Sequence, residues 1–232
     1  MLVARLIGLG ELCYRSNLGN TFIDISYDRP VAVSEHIYLK PPHISLASHS
    51  GKKVIALEKG ASFGGGEHPT TRLAIQLIDK LLHQQPWCDT KAALRAIDIG
   101  TGSGVLALVA AKLGLGRVEA IDTDPCAVYE AKANVNLNAL GSQVLVSDKR
   151  LMDFPNGFNL VFANLRTPTL MEIRTALLKT TTHDSALVLS GLKAEEAQDL
   201  CLEYKKIGFI LSEKRCAKGW CAICLLRGDF SG

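Results

Sequence analysis

No run of this chain is long and apolar enough to span a bilayer. Its 232 residues are 47% hydrophobic, but charged side chains, 21% of the total, break every apolar stretch. The segment from Met1 to Leu12 carries Arg5 and Glu11 and has no signal-peptide pattern, so a cytoplasmic protein is expected. Long blocks of like charge are missing too. With a net charge of +3, a nucleic-acid partner is not indicated. There are no internal repeats and no low-complexity tracts. Metal-ligand spacing is also lacking, since His36, His43, His49, His83 and His183 fall into no ligand pattern. Cys221-x-x-Cys224 has no second pair. It sits in a strand-like run, Trp220 to Leu226, where residues three apart point to opposite faces, so it reads as structural. Seven cysteines, an odd number scattered through apolar segments, fit reduced buried thiols better than a disulfide framework. No metal is expected.

What is present begins with Ala96-Ile-Asp-Ile-Gly-Thr-Gly-Ser-Gly-Val105, an apolar strand running into an aspartate and three alternate glycines. A helical apolar run from Val105 to Leu113 follows at once. Glycines permit a sharp turn and let a ligand touch the main chain, and the new helix offers unpaired N–H groups to an anionic group. The dinucleotide fingerprint G-x-G-x-x-G would place its third glycine at Val105; here it falls at Gly104. The form D-x-G-x-G-x-G, from Asp98 to Gly104, resembles that of S-adenosylmethionine (SAM) methyltransferases. A second strand, Arg117-Val-Glu-Ala-Ile-Asp122, ends in an acid one βαβ step later, where a carboxylate can accept both ribose hydroxyls. The alternative is that Asp98 and Asp122 only cap the following helices.

From Leu94 onward strand and helix patterns alternate, which predicts a largely parallel α/β sheet. Strands are expected over Leu94–Ile99, Arg117–Asp122, Gln143–Ser147, Phe158–Ala163, Ser185–Ser190, Gly208–Lys214 and Trp220–Leu226. Helices are expected over Gly104–Leu113, Pro125–Asn138, Thr167–Lys179 and Ala194–Ile207. The short polar link from Lys214 to Gly219 predicts a terminal antiparallel hairpin. Seven strands closed by such a hairpin make the Rossmann-like architecture common to the SAM-methyltransferase class. Residues 1–57 differ: Thr21–Ser26, Val31–Val33 and Lys53–Leu57 alternate apolar and polar residues between proline and glycine breaks. They read as a small β-rich extension packed on a main domain over 58–232.

Gly60-Ala-Ser-Phe-Gly-Gly-Gly-Glu-His-Pro-Thr-Thr-Arg72 reads as a mobile glycine-rich loop entering a helix whose apolar stripe is Leu73, Leu77, Ile78 and Leu81. Here the sequence resembles the ribosomal-protein methyltransferase family PrmA, which methylates amino groups of the L-eleven protein and carries F-G-T-G-x-H-x-T-T in this loop. The resemblance runs from about Leu57 to the C-terminus, through Asp98–Gly104, Ile121–Pro125, Ala163-Asn-Leu165, Leu189-Ser-Gly191 and Gly219-Trp-Cys221. It implies a cytoplasmic SAM-dependent enzyme with a protein substrate, a ribosomal protein among the possibilities. It also implies site roles. Asp98, Gly100, Gly102 and Gly104 hold the methionine end of the cofactor, Asp122 its ribose, and Phe63 and Thr71 contact it from the preceding loop. Asn164 sits beside the transferring methyl as the catalytic residue and as a cofactor contact, its amide oxygen orienting an amine without carrying charge. Ser147-Asp148 is where the class contacts adenine.

Two departures stand out. Gly65 replaces the family threonine and removes a hydroxyl, and Met1–Ala56 does not resemble the sizeable N-terminal recognition domain of PrmA. Where the family continues with small apolar residues after the asparagine, this chain has Leu165-Arg166. Arg166 reads as a solvated helix-start residue, with an acidic substrate as the alternative. His68 reads as a loop-ordering partner rather than a base, and Glu67 as a solvated charge. The leading reading is methyl transfer to a lysine or N-terminal amine. The alternatives are a small-molecule or RNA acceptor, or a SAM-binding regulator without catalysis. An Asn-Pro-Pro-Tyr motif, which would favour a planar amide or base nitrogen, is replaced here by Asn164-Leu-Arg-Thr167.

Overall fold

The computed structural model describes residues 2–17, 20–46 and 51–228. His49 therefore lies outside the described residues. In chain order the elements are α1 (Leu2–Gly8), β1 (Leu12–Asn17), β2 (Asn20–Ile25), β3 (Val31–Ala32), β4 (Ile37–Lys40), β5 (Lys53–Ala56), α2 (Pro69–His83) and α3 (Trp87–Thr90). There follow β6 (Arg95–Ile99), α4 (Val105–Lys112), β7 (Arg117–Ile121), α5 (Pro125–Leu137), β8 (Val144–Ser147), β9 (Phe158–Asn164), α6 (Thr167–Thr180), β10 (Thr181–Lys193), α7 (Ala197–Lys205), β11 (Ile210–Ala217) and β12 (Trp220–Arg227). No helix among the described residues is long and apolar enough to cross a membrane.

Strands that are apolar at every position need cover on both faces, and the central sheet has it. Its order is β11-β12-β10-β9-β6-β7-β8. β10, β9, β6, β7 and β8 run parallel, and β12 lies antiparallel between β10 and β11. Successive side chains divide between two cores with period two. Ala96, Val118, Leu160, Phe162 and Val188 join one core with α2 and α4. Ile97, Ile121, Val161, Ala163 and Leu189 join the other, beneath α6 and α7. Helix α4 is buried at every position from Val105 to Ala111, which explains its uniformly apolar sequence.

The small sheet β3-β4-β5 packs on the first core, contributing Val31, Val33, Ile37, Leu39 and Ile55. The strand patterns at 21–26, 31–33 and 53–57 recur as β2, β3 and β5, joined by α1, β1 and β4, which local alternation did not reveal. Strand β10 runs three residues past the expected end at Ser190, because Gly191 (φ 89°) is a bulge rather than a stop. Helix α7 starts at Ala197, since residues 194–196 form a turn closed by Glu196 N–H on the Lys193 carbonyl.

The hairpin corrects the expectation of reduced thiols for one pair. Cys216 of β11 faces Cys221 of β12 in register, and the two form a disulfide. Five residues around a tight turn bring them directly opposite, a proximity that counting cysteines does not reveal. The other five cysteines are free. Cys221 and Cys224 do lie in opposite cores, as their spacing predicts.

Candidate functional site

Strand β6 pairs with β7 on one side and β9 on the other, so the connections leaving β6 and β9 diverge at their carboxyl ends. A doubly wound sheet opens a crevice at such a point. Here it is a cavity of about 800 Å³ whose walls include Gly100, Gly102, Asp122, Asn164, Phe63 and Trp220.

The turn after β6 is fixed by its backbone. Gly100 and Thr101 N–H both donate to the Ile121 carbonyl, at 2.9 and 3.0 Å. Gly102 has φ 53°, and a Cβ there would sit 2.3 Å from the Phe63 carbonyl oxygen, so a side chain is excluded on both counts. Gly104 lies behind this surface as the N-cap of α4.

The two acids occupy different surroundings. Asp98 is 1% exposed; its Oδ2 accepts from Thr101 Oγ1 at 2.6 Å and from Ala107 N–H at 3.2 Å, while Oδ1 is buried without a partner. Burial pushes its pKa up to about 7; the two hydrogen bonds oppose the rise and the charge of Asp122 adds to it. Asp122 stands at the cavity wall. Its Oδ2 accepts from Gly102 N–H at 2.9 Å and its Oδ1 from Asp124 N–H at 3.0 Å, so both acids orient the turn, and of the two only Asp122 faces the crevice. Capping of α5 falls to Asp124, whose carboxylate accepts from Cys126 N–H.

Asn164 ends β9. Its Nδ2 donates to Thr71 Oγ1 at 3.3 Å, and its Oδ1 is a buried acceptor with no partner. Thr71 is wholly buried behind Asn164, and Thr70 takes the cavity wall instead. His68 is the N-cap of α2, with Nδ1 accepting from Thr70 N–H at 3.3 Å and facing the Thr70 hydroxyl at 2.8 Å. An accepting Nδ1 places the ring proton on Nε2, and burial lowers the pKa, so His68 is a neutral, loop-ordering ring. Phe63 and Trp220 flank it edge-on, with centroids 5.2 and 5.0 Å away. Glu67 is not a lone charge, since it pairs with Lys59 at 2.7 Å. Arg166 is exposed on the rim, and at the opposite end the wall is Lys149, Arg150 and Leu151 rather than Ser147-Asp148.

The glycine-rich loop, expected to be mobile, is tied down by residues that motif reading passed over. Along one face of α5 and onto its C-cap, Glu130, Asn134 and Asn138 recur every four residues. Glu130 accepts from Ala61 and Ser62 N–H at 2.7 and 3.0 Å. Asn134 accepts from Glu58 N–H and donates to the Ser103 carbonyl, both at 2.9 Å, and Asn138 bonds both backbone groups of Ala56. Ser103 closes the set, its N–H on the Phe63 carbonyl and its hydroxyl on that of Gly64. Two asparagines on a helix face, 1% and 9% exposed, were the available signal. A Cβ added at Gly65 would meet nothing within 4 Å, so this position does not demand a glycine for space.

A family profile described as ribosomal protein L11 methyltransferase (PrmA) matches residues 24–227. The ribosomal protein L11 methyltransferase of Geotalea uraniireducens is 33% identical over 198 residues, 84% of this chain and 63% of its own length. That of Pelobacter propionicus is 36% identical over 170 residues, 73% of this chain and 54% of its own. The crystal structure of a ribosomal protein L11 methylase from Lactobacillus delbrueckii subsp. bulgaricus superposes with a TM-score of 0.75 at 25% identity, covering 88% of this chain and 100% of that one. The chain therefore spans less than two thirds of the length of these two curated relatives, 63% and 54%. With the matched profile running across nearly all of the sheet and both of its motif turns, the chain belongs to the ribosomal protein L11 methyltransferase (PrmA) family.

Proposed function

We propose that this chain is a SAM-dependent N-methyltransferase whose acceptor is a protein amino group, a lysine side chain or an N-terminal amine. The observation that carries the reading is the unpartnered, buried Oδ1 of Asn164 at the edge of the cavity. An amide oxygen there accepts an N–H from an uncharged amine and fixes the direction of its lone pair, while bringing no charge into the site.

The residues fit the cofactor. Asp98 Oδ1 is an unsatisfied acceptor behind the turn, suited to a cationic amino group. Asp122 keeps lone pairs for ribose hydroxyls beyond its two backbone bonds. Gly100 and Gly102 put bare main chain at the cavity wall for the methionine end of the cofactor. When bound, the cofactor supplies a methyl group on a sulfonium and leaves as a thioether. Asn164 aligns the nucleophile, Thr71 fixes the Asn164 amide, and Phe63, His68 and Trp220 form an aromatic wall on the acceptor side. His68 Nδ1 is already engaged by Thr70, so the ring orders the loop rather than taking the proton of the amine.

Ribosomal protein L11, named in the relatives' descriptions, is the first acceptor to try, and a cytoplasmic location accords with it. In this reading 58–232 is the methyltransferase domain and 1–57 a β-rich extension, whose strands β3 to β5 share a core with α2. The test is incubation with methyl-labelled SAM, together with purified ribosomal protein L11 and separately with lysate. Label in protein amines supports the proposal. Label confined to RNA or small molecules, or no transfer at all, contradicts it.

A further inference from the structure

At the seam between the small sheet and α2, two histidines converge on one carboxylate. Asp79, on the third turn of α2, is 2% exposed. His36 reaches it from the turn before β4, and its backbone N–H donates to Asp79 Oδ2 at 2.9 Å. Oδ1 is left as the meeting point, with His36 Nδ1 2.9 Å away and His83 Nδ1 3.1 Å away. His83 shares the helix face with Asp79 at i+4. Donor atoms of all three residues lie within 4.8 Å of one another.

Both imidazoles therefore crowd a single carboxylate oxygen. The second stacks on the first, with centroids 3.9 Å apart and planes 17° from parallel. Protonating both would set two cations face to face. A divalent cation resolves this, taking lone pairs from two neutral rings and the charge of one carboxylate. We infer that His36, Asp79 and His83 form a transition-metal site, with Zn²⁺ the ion it suits best. Ligands on a tetrahedral zinc ion stand about 3.3–3.5 Å apart, so the observed 2.9 and 3.1 Å separations need to open by only tenths of an ångström. One ring must turn out of the stack, and the His83 Nδ1 contact with the Asp79 carbonyl at 2.7 Å must give way. Both rings are partly exposed, which leaves them room to move. A cavity of about 250 Å³ beside the cluster leaves space for a water as fourth ligand. The cations lining it, Lys80 and Arg215, are both paired with Glu213, at 2.7 and 2.8 Å. The ion would cross-link the small sheet to the helix that carries Thr70 and Thr71.

The test is calorimetric titration of the chelator-treated full chain with Zn²⁺, alongside Co²⁺ titration followed by visible absorption. Both are repeated on His36→Gln, His83→Gln and Asp79→Asn. One ion per chain is expected, with tetrahedral Co²⁺ bands and a Zn²⁺-dependent rise in Tm. Affinity should fall by roughly 100-fold or more in each histidine variant. His83→Gln, on the more exposed ring, keeps the test open if Asp79→Asn does not fold. No saturable binding, or binding that survives both histidine changes, overturns the assignment.

Discussion

Asp98 lies within β6 and Asp122 just past the end of β7, yet one is sealed and the other stands at the cavity wall. For Asp98 the consequence is a pH dependence whose sign is fixed. Its folded pKa, about 7, lies above the ordinary carboxylate value of 3.8. Its favourable balance is therefore complete below pH 4 and is lost as pH rises toward 7, at about 1.4 kcal/mol per unit of separation between folded and unfolded values. The Tm of the ligand-free protein should fall more steeply over that window than the Tm of Asp98→Asn; parallel curves would contradict the sealed carboxyl. At Asp122 the expected outcome concerns binding. Asp122→Ala should weaken SAM affinity by about 1–3 kcal/mol in calorimetry, by removing charge-assisted hydrogen bonds. Asn164→Ala should spare that affinity and reduce turnover; equal loss of both would make it a binding residue alone.

At the scale of elements, α5 acts as a polar rail for the segment entering the site. Asn134→Ala leaves the Glu58 N–H and the Ser103 carbonyl without partners, a cost of about 1–3 kcal/mol in urea unfolding. Glu130→Ala frees only the backbone at Ala61 and Ser62. It should raise the KM for the cofactor several-fold while changing kcat less, and an unchanged KM would show that the loop needs no anchor. This rail also marks where sequence reading stops. The helix itself is legible from Pro125 and the stop at Asn138. Its partners are 31 to 82 residues away, and no local pattern connects them. The same applies to His36 and Asp79, 43 residues apart: spacing along the chain reveals ligands only when they share one helix or turn. Thr70 and Thr71 exchange places for a related reason. Both stand at the start of a helix, and which one faces the cavity depends on the rotation of α2, which packing sets.

For the whole molecule, the sheet was readable because both its faces are covered. Continuous apolar strands between helical patterns permit little else. The terminal hairpin was readable from a short polar link, but the Cys216–Cys221 bond depends on a register that composition does not carry. The N-terminal strands were legible only in part, since β4 and β5 pair in parallel across a long connection. In the proposed function the cofactor lies across the carboxyl ends of β6 and β7, with its sulfur toward Asn164. The most direct measurement is a crystal structure of the chain with S-adenosylhomocysteine. Ribose hydroxyls on Asp122, the amino group near Asp98 and the sulfur facing Asn164 are the expected result. Density for the ligand elsewhere, or a cavity closed by the chain's own side chains at saturating ligand, would contradict it.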